Sequence, residues 1–174
     1  VTLERGTTRL RPWRDGDVPF LMRLRNDIPL QAQLLARARG SDEAQVRGWL
    51  QDRTLPPARL FLVIADATTD ATLGFVQVSD LDPLDRRGEL GIGLASEAQG
   101  SGHGGRALSL LLEHLRATRG LRKMSLRVRS DNERAIRCYE RAGFVRCGLL
   151  RSHVHIENAW RDVMLMECLL EELG

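Results

Sequence analysis

Apolar positions along the chain recur with two periods, and each period names an element. Thr8–Arg9–Leu10–Arg11–Pro12 alternates and stops at proline, which predicts a short first strand. Asp15 or Asp17 then caps a helix carrying Phe20, Leu21 and Leu24, ending near Asn26–Asp27–Ile28–Pro29. After a polar stretch, Ser41, Asp42 and Glu43 open a second helix with Val46, Trp49 and Leu50 inward. Leu60–Ala65 is a continuous apolar run, the pattern of a buried strand, and Thr72–Val78 returns beside it after a turn at Asp66–Asp70. Glu89–Leu94 is the next strand, interrupted by Gly91 and Gly93, glycines that mark a bulge or a close backbone approach. The strongest helical spacing follows Gly105, at Ala107, Leu108, Leu111, Leu112 and Leu115, and Gly120 closes it. Met124, Leu126 and Val128 alternate as a strand, Glu133–Ala142 is a short helix capped by Gly143, and Phe144–Arg151 and Trp160–Leu170 are the last strands. The order β-α-α-β-β-β-α-β-α-β-β predicts an α+β (mixed α/β) fold. Residues 1–174 read as a single domain, without repeat, low-complexity tract or linker.

Composition narrows the chemistry. A chain of 174 residues, 43% hydrophobic and 28% charged, can bury a core without a disulfide or metal staple. No apolar run approaches the length of a membrane helix, and the N-terminus lacks a signal pattern, so the expected location is cytoplasmic with no membrane partner. Of 26 basic residues all but Lys123 are arginine, yet they are scattered, which fits codon bias and gives no nucleic-acid patch. Cys138, Cys147 and Cys168 form no CxxC, and His153 and His155 lack further ligands, so no metal site is expected.

The chemistry-bearing segment is Gln99–Gly100–Ser101–Gly102–His103–Gly104–Gly105, between a strand and the N-terminus of the strongest helix. Such a turn presents unpartnered N–H groups at the positive end of a helix dipole, which points to a phosphate or pyrophosphate. Gly100, Gly102 and Gly105 satisfy GxGxxG, but five residues, Ala95 to Gln99, separate the strand from the first glycine. No acid lies among Arg119–Ser125, where a dinucleotide site needs one, and no GK[ST] follows for a P-loop.

Gln99-x-x-Gly102-x-Gly104 resembles the Q/R-x-x-G-x-G/A turn of the GNAT superfamily of N-acetyltransferases. A second segment, Asn132, Ala135, Tyr139–Glu140 and Gly143–Phe144, resembles the family's "N…A…YE…GF" signature. Thr8–Asp17 looks like the "LRP…D" opening of the subgroup that includes ribosomal-protein N-terminal acetyltransferases, and Gly148–Arg151 with Asp162–Leu165 resembles its ending.

The resemblance implies a twisted mixed sheet flanked by helices and split between the fourth and fifth strands of this reading, Glu89–Leu94 and Met124–Val128. A bulge would splay them, and the pantetheine of acetyl-CoA would enter the gap. It implies acetyl-CoA as cosubstrate, with Gln99, Gly100, Ser101, Gly102, His103, Gly104 and Gly105 at its pyrophosphate. Ile92, Gly93, Leu94, Asn132 and Ala135 would lie along the pantetheine, and Tyr139 would protonate the departing thiolate. Glu89, at the start of the splayed strand, is the candidate base, directly or through water. Cys138 is turned about 100° from Tyr139, so direct attack in a ternary complex is preferred to an acetyl-cysteine route. The expected acceptor is a protein N-terminal α-amino group; the alternatives are a small amine (amino sugar, polyamine or antibiotic) and a non-catalytic acyl-CoA-binding regulator. Asp80, Asp82 and Asp85 are an acidic stretch that either attracts a cationic acceptor or is a solvated loop. The late strands with Trp160 are a candidate homodimer edge.

Overall fold

The computed structural model describes residues 1–56 and 59–174. Eight strands form one sheet: β1 (Leu3–Arg5), β2 (Thr8–Arg11), β3 (Leu60–Asp66), β4 (Thr72–Asp82), β5 (Arg87–Leu94), β6 (Lys123–Arg129), β7 (Val145–Ile156) and β8 (Ala159–Leu169). Five helices accompany them: α1 (Val18–Asn26), α2 (Ile28–Gln33), α3 (Glu43–Arg53), α4 (His103–Arg119) and α5 (Glu133–Arg141). The strand order is β1-β2-β3-β4-β5-β6-β8-β7, antiparallel except where β5 meets β6. No helix among the described residues is long and apolar enough to cross a membrane.

Strand β3 reads as an unbroken apolar run because both faces of the sheet are covered. Leu62 and Ile64 join Leu108, Leu111 and Leu115 of α4 in one core, whereas Phe61, Val63 and Ala65 join Val18, Leu21, Val46 and Leu50 of α1 and α3 in another. The second core centres on an aromatic group in which Phe61 and Phe75 stack at 5.3 Å and Trp49 meets both edge-on.

The split is present. β5 and β6 pair only at Arg87–Glu89 with Lys123–Ser125; beyond Glu89, β5 keeps its partner β4 while β6 runs on with β8 to Arg129. The added strand β1 shifts the count, so the split falls between the fifth and sixth strands.

Four local expectations need correction. No bulge marks Gly91 or Gly93, for the β4–β5 register is unbroken from Gly74↔Leu94 to Ser79↔Glu89, and the irregularity lies between Ser79 and Asp82. Those glycines are instead overlain by their cross-strand partners: a Cβ on Gly91 would stand 2.9 Å from the Gln77 side chain, and one on Gly93 2.9 Å from the Phe75 ring. Asp17 makes no side-chain cap; it is buried, and its carboxylate accepts two bonds from Arg11 (2.8 and 2.9 Å). The polar stretch contains α2, because Asp27 accepts from Leu30 N and Pro29 occupies the first turn, where its missing N–H is harmless. Finally, β7 continues to Ile156 and turns through Glu157 and Asn158, both at positive φ, a two-residue hairpin that the run ending at Arg151 does not announce.

Candidate active site

A cavity of about 870 Å³ follows the split between β5 and β6. Alternation along the strands shows that it reaches both faces of the sheet. Val76, Val78 and Leu90 point into the α4 core, as do Leu126 and Val128 of β6. Gln77, Glu89 and Arg127 therefore emerge on the α1–α3 side, and all three line the cavity. The glycine turn, Asn132 and Tyr139 line it from the α4–α5 side.

On that side the glycine turn and the start of α4 meet the cavity. Gly100 and Gly102 have φ of +87° and +79°, the left-handed region that glycine enters without strain. Gly102 is the residue before α4, and its carbonyl accepts from Arg106 N at 3.1 Å, leaving the first N–H groups of the helix without intrahelical partners. Gln99 pins the turn: its Nε2 donates to Leu94 O (3.0 Å) and its Oε1 accepts from Arg134 (3.3 Å). Gln99, Gly100, Gly102, Gly104, Gly105, Ile92, Gly93, Leu94, Asn132, Ala135, Tyr139 and Glu89 all line the cavity, so twelve expected residues converge.

Ser101 and His103 are not among the lining residues. The His103 ring is buried against β2, with Nδ1 2.9 Å from Thr8 Oγ1, and burial followed by the neighbouring Arg106 lowers its pKa. Arg106 donates to Thr8 Oγ1, Thr7 Oγ1 and Ser101 O, so these two side chains fasten the turn to the sheet.

Asn132 caps α5, accepting from Ala135 N at 3.3 Å. Tyr139 projects from the same helix, 8% exposed, its ring 6.0 Å from that of Phe144. Burial, with a smaller contribution from Cys138, raises its pKa above the ordinary phenol value. Cys138 also lines the cavity, so the turn of the helix does not remove it from the site. Burial raises its pKa as well, and the neutral thiol is a poor nucleophile.

Glu89 is half-buried and paired with Arg127 Nε across the split at 3.3 Å. Asp80, Asp82 and Asp85 are not part of the lining; Asp82 accepts the Leu84 and Asp85 N–H groups, and Arg87 pairs with Asp82 and Asp85. Among the described residues no three His, Cys, Asp or Glu side chains group as metal ligands.

Sequence reasoning missed Leu30, Gln33, Leu34 and Leu35 from α2 and its exit, Phe75 and Gln77 on β4, Arg127, and His153. One of them carried a signal: Gln77 is a polar residue interrupting the apolar strand Phe75–Val78.

The acetyl-CoA fit can be judged from these features. The free β5 edge beyond Glu89, the side-chain-free Gly104 against the cavity and the exposed helix N-terminus match an elongated ligand with amides at one end and phosphates at the other.

The chain matches the acetyltransferase (GNAT) domain family over residues 8–145. It is 38% identical over 109 residues to the mycothiol acetyltransferase of Rhodococcus erythropolis, covering 60% of this chain but 34% of that protein. It is 28% identical over 108 residues to the ribosomal-protein-serine acetyltransferase of Escherichia coli, covering 62% of this chain and 59% of the relative. The first two curated relatives are thus matched over about a third and three-fifths of their length. The spermidine N(1)-acetyltransferase of Vibrio cholerae is 26% identical over 157 residues, 90% of each chain. Among solved structures, the spermidine N-acetyltransferase of Vibrio cholerae in complex with CoA and spermine superposes with a TM-score of 0.89 at 24% identity, covering 97% of this chain and 98% of that one. With the split sheet and glycine turn in place and the family matched over most of its length, the chain belongs to the GNAT acetyltransferase family.

Proposed function

We propose that residues 1–174 act as one acetyl-CoA-dependent N-acetyltransferase domain that acetylates a small primary amine by direct attack in a ternary complex. The observation that carries this reading is the cavity at the split sheet, lined by the glycine turn on the α4–α5 side and by Gln77, Glu89 and Arg127 on the α1–α3 side. Donor and acceptor can then meet from opposite faces, which converts a bimolecular encounter into a positioned one.

In this reading the N–H groups of the glycine turn receive the pyrophosphate of the cosubstrate. Backbone groups of Ile92 and Leu94 hold the pantetheine amides, and one N–H there polarises the thioester carbonyl. Tyr139 donates to the sulfur as it leaves. Glu89, or water beside it, takes the amine proton; an amine of pKa about 10.4 is otherwise protonated in all but roughly one molecule in 2,500 at pH 7.

Relatives along the whole chain support a small amine over the protein N-terminal α-amino group read from the sequence. The spermidine acetyltransferase aligns over 90% of both chains, whereas the ribosomal-protein enzyme is matched over 59% of its length. Thermal unfolding with acetyl-CoA, CoA, NADH and ATP tests the donor site. Acetyl-CoA at about 100 times its Kd adds roughly 2.7 kcal/mol, a rise of roughly 5–10 °C for a chain of this size. CoA release with small amines and with N-terminal peptides then tests the acceptor. A shift with NADH alone, or none with acetyl-CoA, refutes the reading, and binding without any turnover favours an acyl-CoA-binding regulator.

A further inference from the structure

We propose that the acceptor is a monoamine with a largely uncharged body, and that Gln77 positions its amino group. The inference rests on the function proposed above and narrows its substrate class.

The α1–α3 end of the cavity is poor in negative charge. Among the described residues its single carboxylate is Glu89, which is already ion-paired with Arg127 at 3.3 Å, and His153 adds no anion. The remaining wall there is apolar or amide: Leu30, Leu34 and Phe75 with Gln33 and Gln77. At the other end, Arg134 and Arg141 add two further cations. A polyamine entering this cavity would give up the hydration of several ammonium groups for one carboxylate that is shared with a guanidinium. One amine on an apolar body meets no such deficit.

Gln77 supplies the second observation. Its Oε1 is buried and has no hydrogen-bond partner among the described residues, whereas buried acceptors are almost always satisfied. The side chain lies over Gly91, where a Cβ would come within 2.9 Å of its amide nitrogen. The glycine leaves room for the amide, and β5 carries it at the edge of the split. The oxygen is closed to solvent in this conformation, so the amide turns over Gly91 toward the cavity that Gln77 lines before an amine N–H arriving from the α1–α3 side satisfies it.

The test measures CoA release at saturating acetyl-CoA for 2-phenylethylamine, isoamylamine and leucine amide against spermidine and spermine. The best monoamine is expected to exceed both polyamines in kcat/KM by about tenfold or more. Gln77→Leu, close in volume, should raise the monoamine KM about tenfold while the KM for acetyl-CoA and the melting temperature hold. Gln77→Glu should move the preference toward spermidine by adding the missing carboxylate. A polyamine that equals or exceeds every monoamine overturns the inference and leaves the acetyltransferase reading standing. So does a monoamine KM that Gln77→Leu leaves unmoved, or an enzyme that binds acetyl-CoA and turns over none of the monoamines. Failure of acetyl-CoA to stabilise the protein overturns the acetyltransferase reading itself, and this inference with it.

Discussion

Replacing Tyr139 by phenylalanine separates catalysis from packing at the most buried reactive group of the site. The ring is 8% exposed and packs against Phe144, and burial raises the phenol above its ordinary range, so it stays protonated through any practical assay pH. Its hydroxyl makes no hydrogen bond to another described residue, and the residue lines the cavity, so deleting the hydroxyl orphans no described group. The stability change should stay within about 0.5 kcal/mol, or roughly 1–2 °C in Tm. The catalytic cost should be far larger. A thiol of pKa about 8.5 and a phenol of about 10 differ by roughly 1.5 units, so full proton transfer to a thiolate costs about 2 kcal/mol. Burial acts on both groups, and in the proposed mechanism Tyr139 would therefore work mainly by donating a hydrogen bond as charge develops on sulfur. Losing one such donor in a water-poor site costs about 10²–10³ in kcat, about 3–4 kcal/mol. Steady-state CoA release with a calorimetric Kd for acetyl-CoA is the assay, with kcat down and Kd unchanged as the expected result. A kcat within about threefold of the parent, at equal stability, would show that Tyr139 is a packing residue and refute the argument.

Other perturbations follow from the same geometry. Asp17→Ala leaves Arg11 buried with a broken pair, whose side chains are 3% and 5% exposed in the parent; it should cost about 3–5 kcal/mol, read as a Tm loss of roughly 6–20 °C. Burial alone would raise the Asp17 pKa, but bonds from Arg11, Thr72 and Arg14 outweigh it, and Asp70 is held at about 2 chiefly by Arg9 and Arg11. Both folded values lie below the unfolded one, so their stabilisation is present above about pH 4 and is lost as pH falls, for Asp70 between about pH 4 and 2; acid titration followed by circular dichroism should show it. Gly104→Ala has room within the protein, 3.4 Å from Leu94 and 3.7 Å from Cys138, and alanine favours the helix by about 1 kcal/mol. Acetyl-CoA affinity should nevertheless fall about tenfold or more as the methyl enters the cavity, and unchanged calorimetric binding would remove the turn from the donor site. Glu89→Gln should lower kcat about tenfold at pH 7 and less at pH 9, where the amine sheds its own proton; pH–rate profiles that superimpose would assign deprotonation to water alone.

Short-range signals in the amino-acid sequence determined the elements and half of the site. Asp42 with Gln45, Asn132 with Ala135, Gly120 and Gly102 act within five residues of themselves, so caps, helix ends and the left-handed turn could be read without knowing any partner. The glycine turn and its helix N-terminus are such a local unit, which is why the α4–α5 end of the cavity was readable from the sequence. The α1–α3 end was not. Gln77, Glu89 and Arg127 come from three strands, and only strand order, register and the divergence of β5 from β6 bring them to one face. The same holds for Asp17, whose nearness to the helix start suggested a cap while its partner Arg11 lies on a strand. Gly91 and Gly93 suggested a bulge or a close backbone approach because a glycine records missing volume without saying what fills it; the fillers, the side chains of Gln77 and Phe75, belong to the neighbouring strand. Local propensity is encoded over a few residues, whereas charge balance and unmet hydrogen bonds in a cavity are sums over chain segments far apart, and only tertiary packing adds them together.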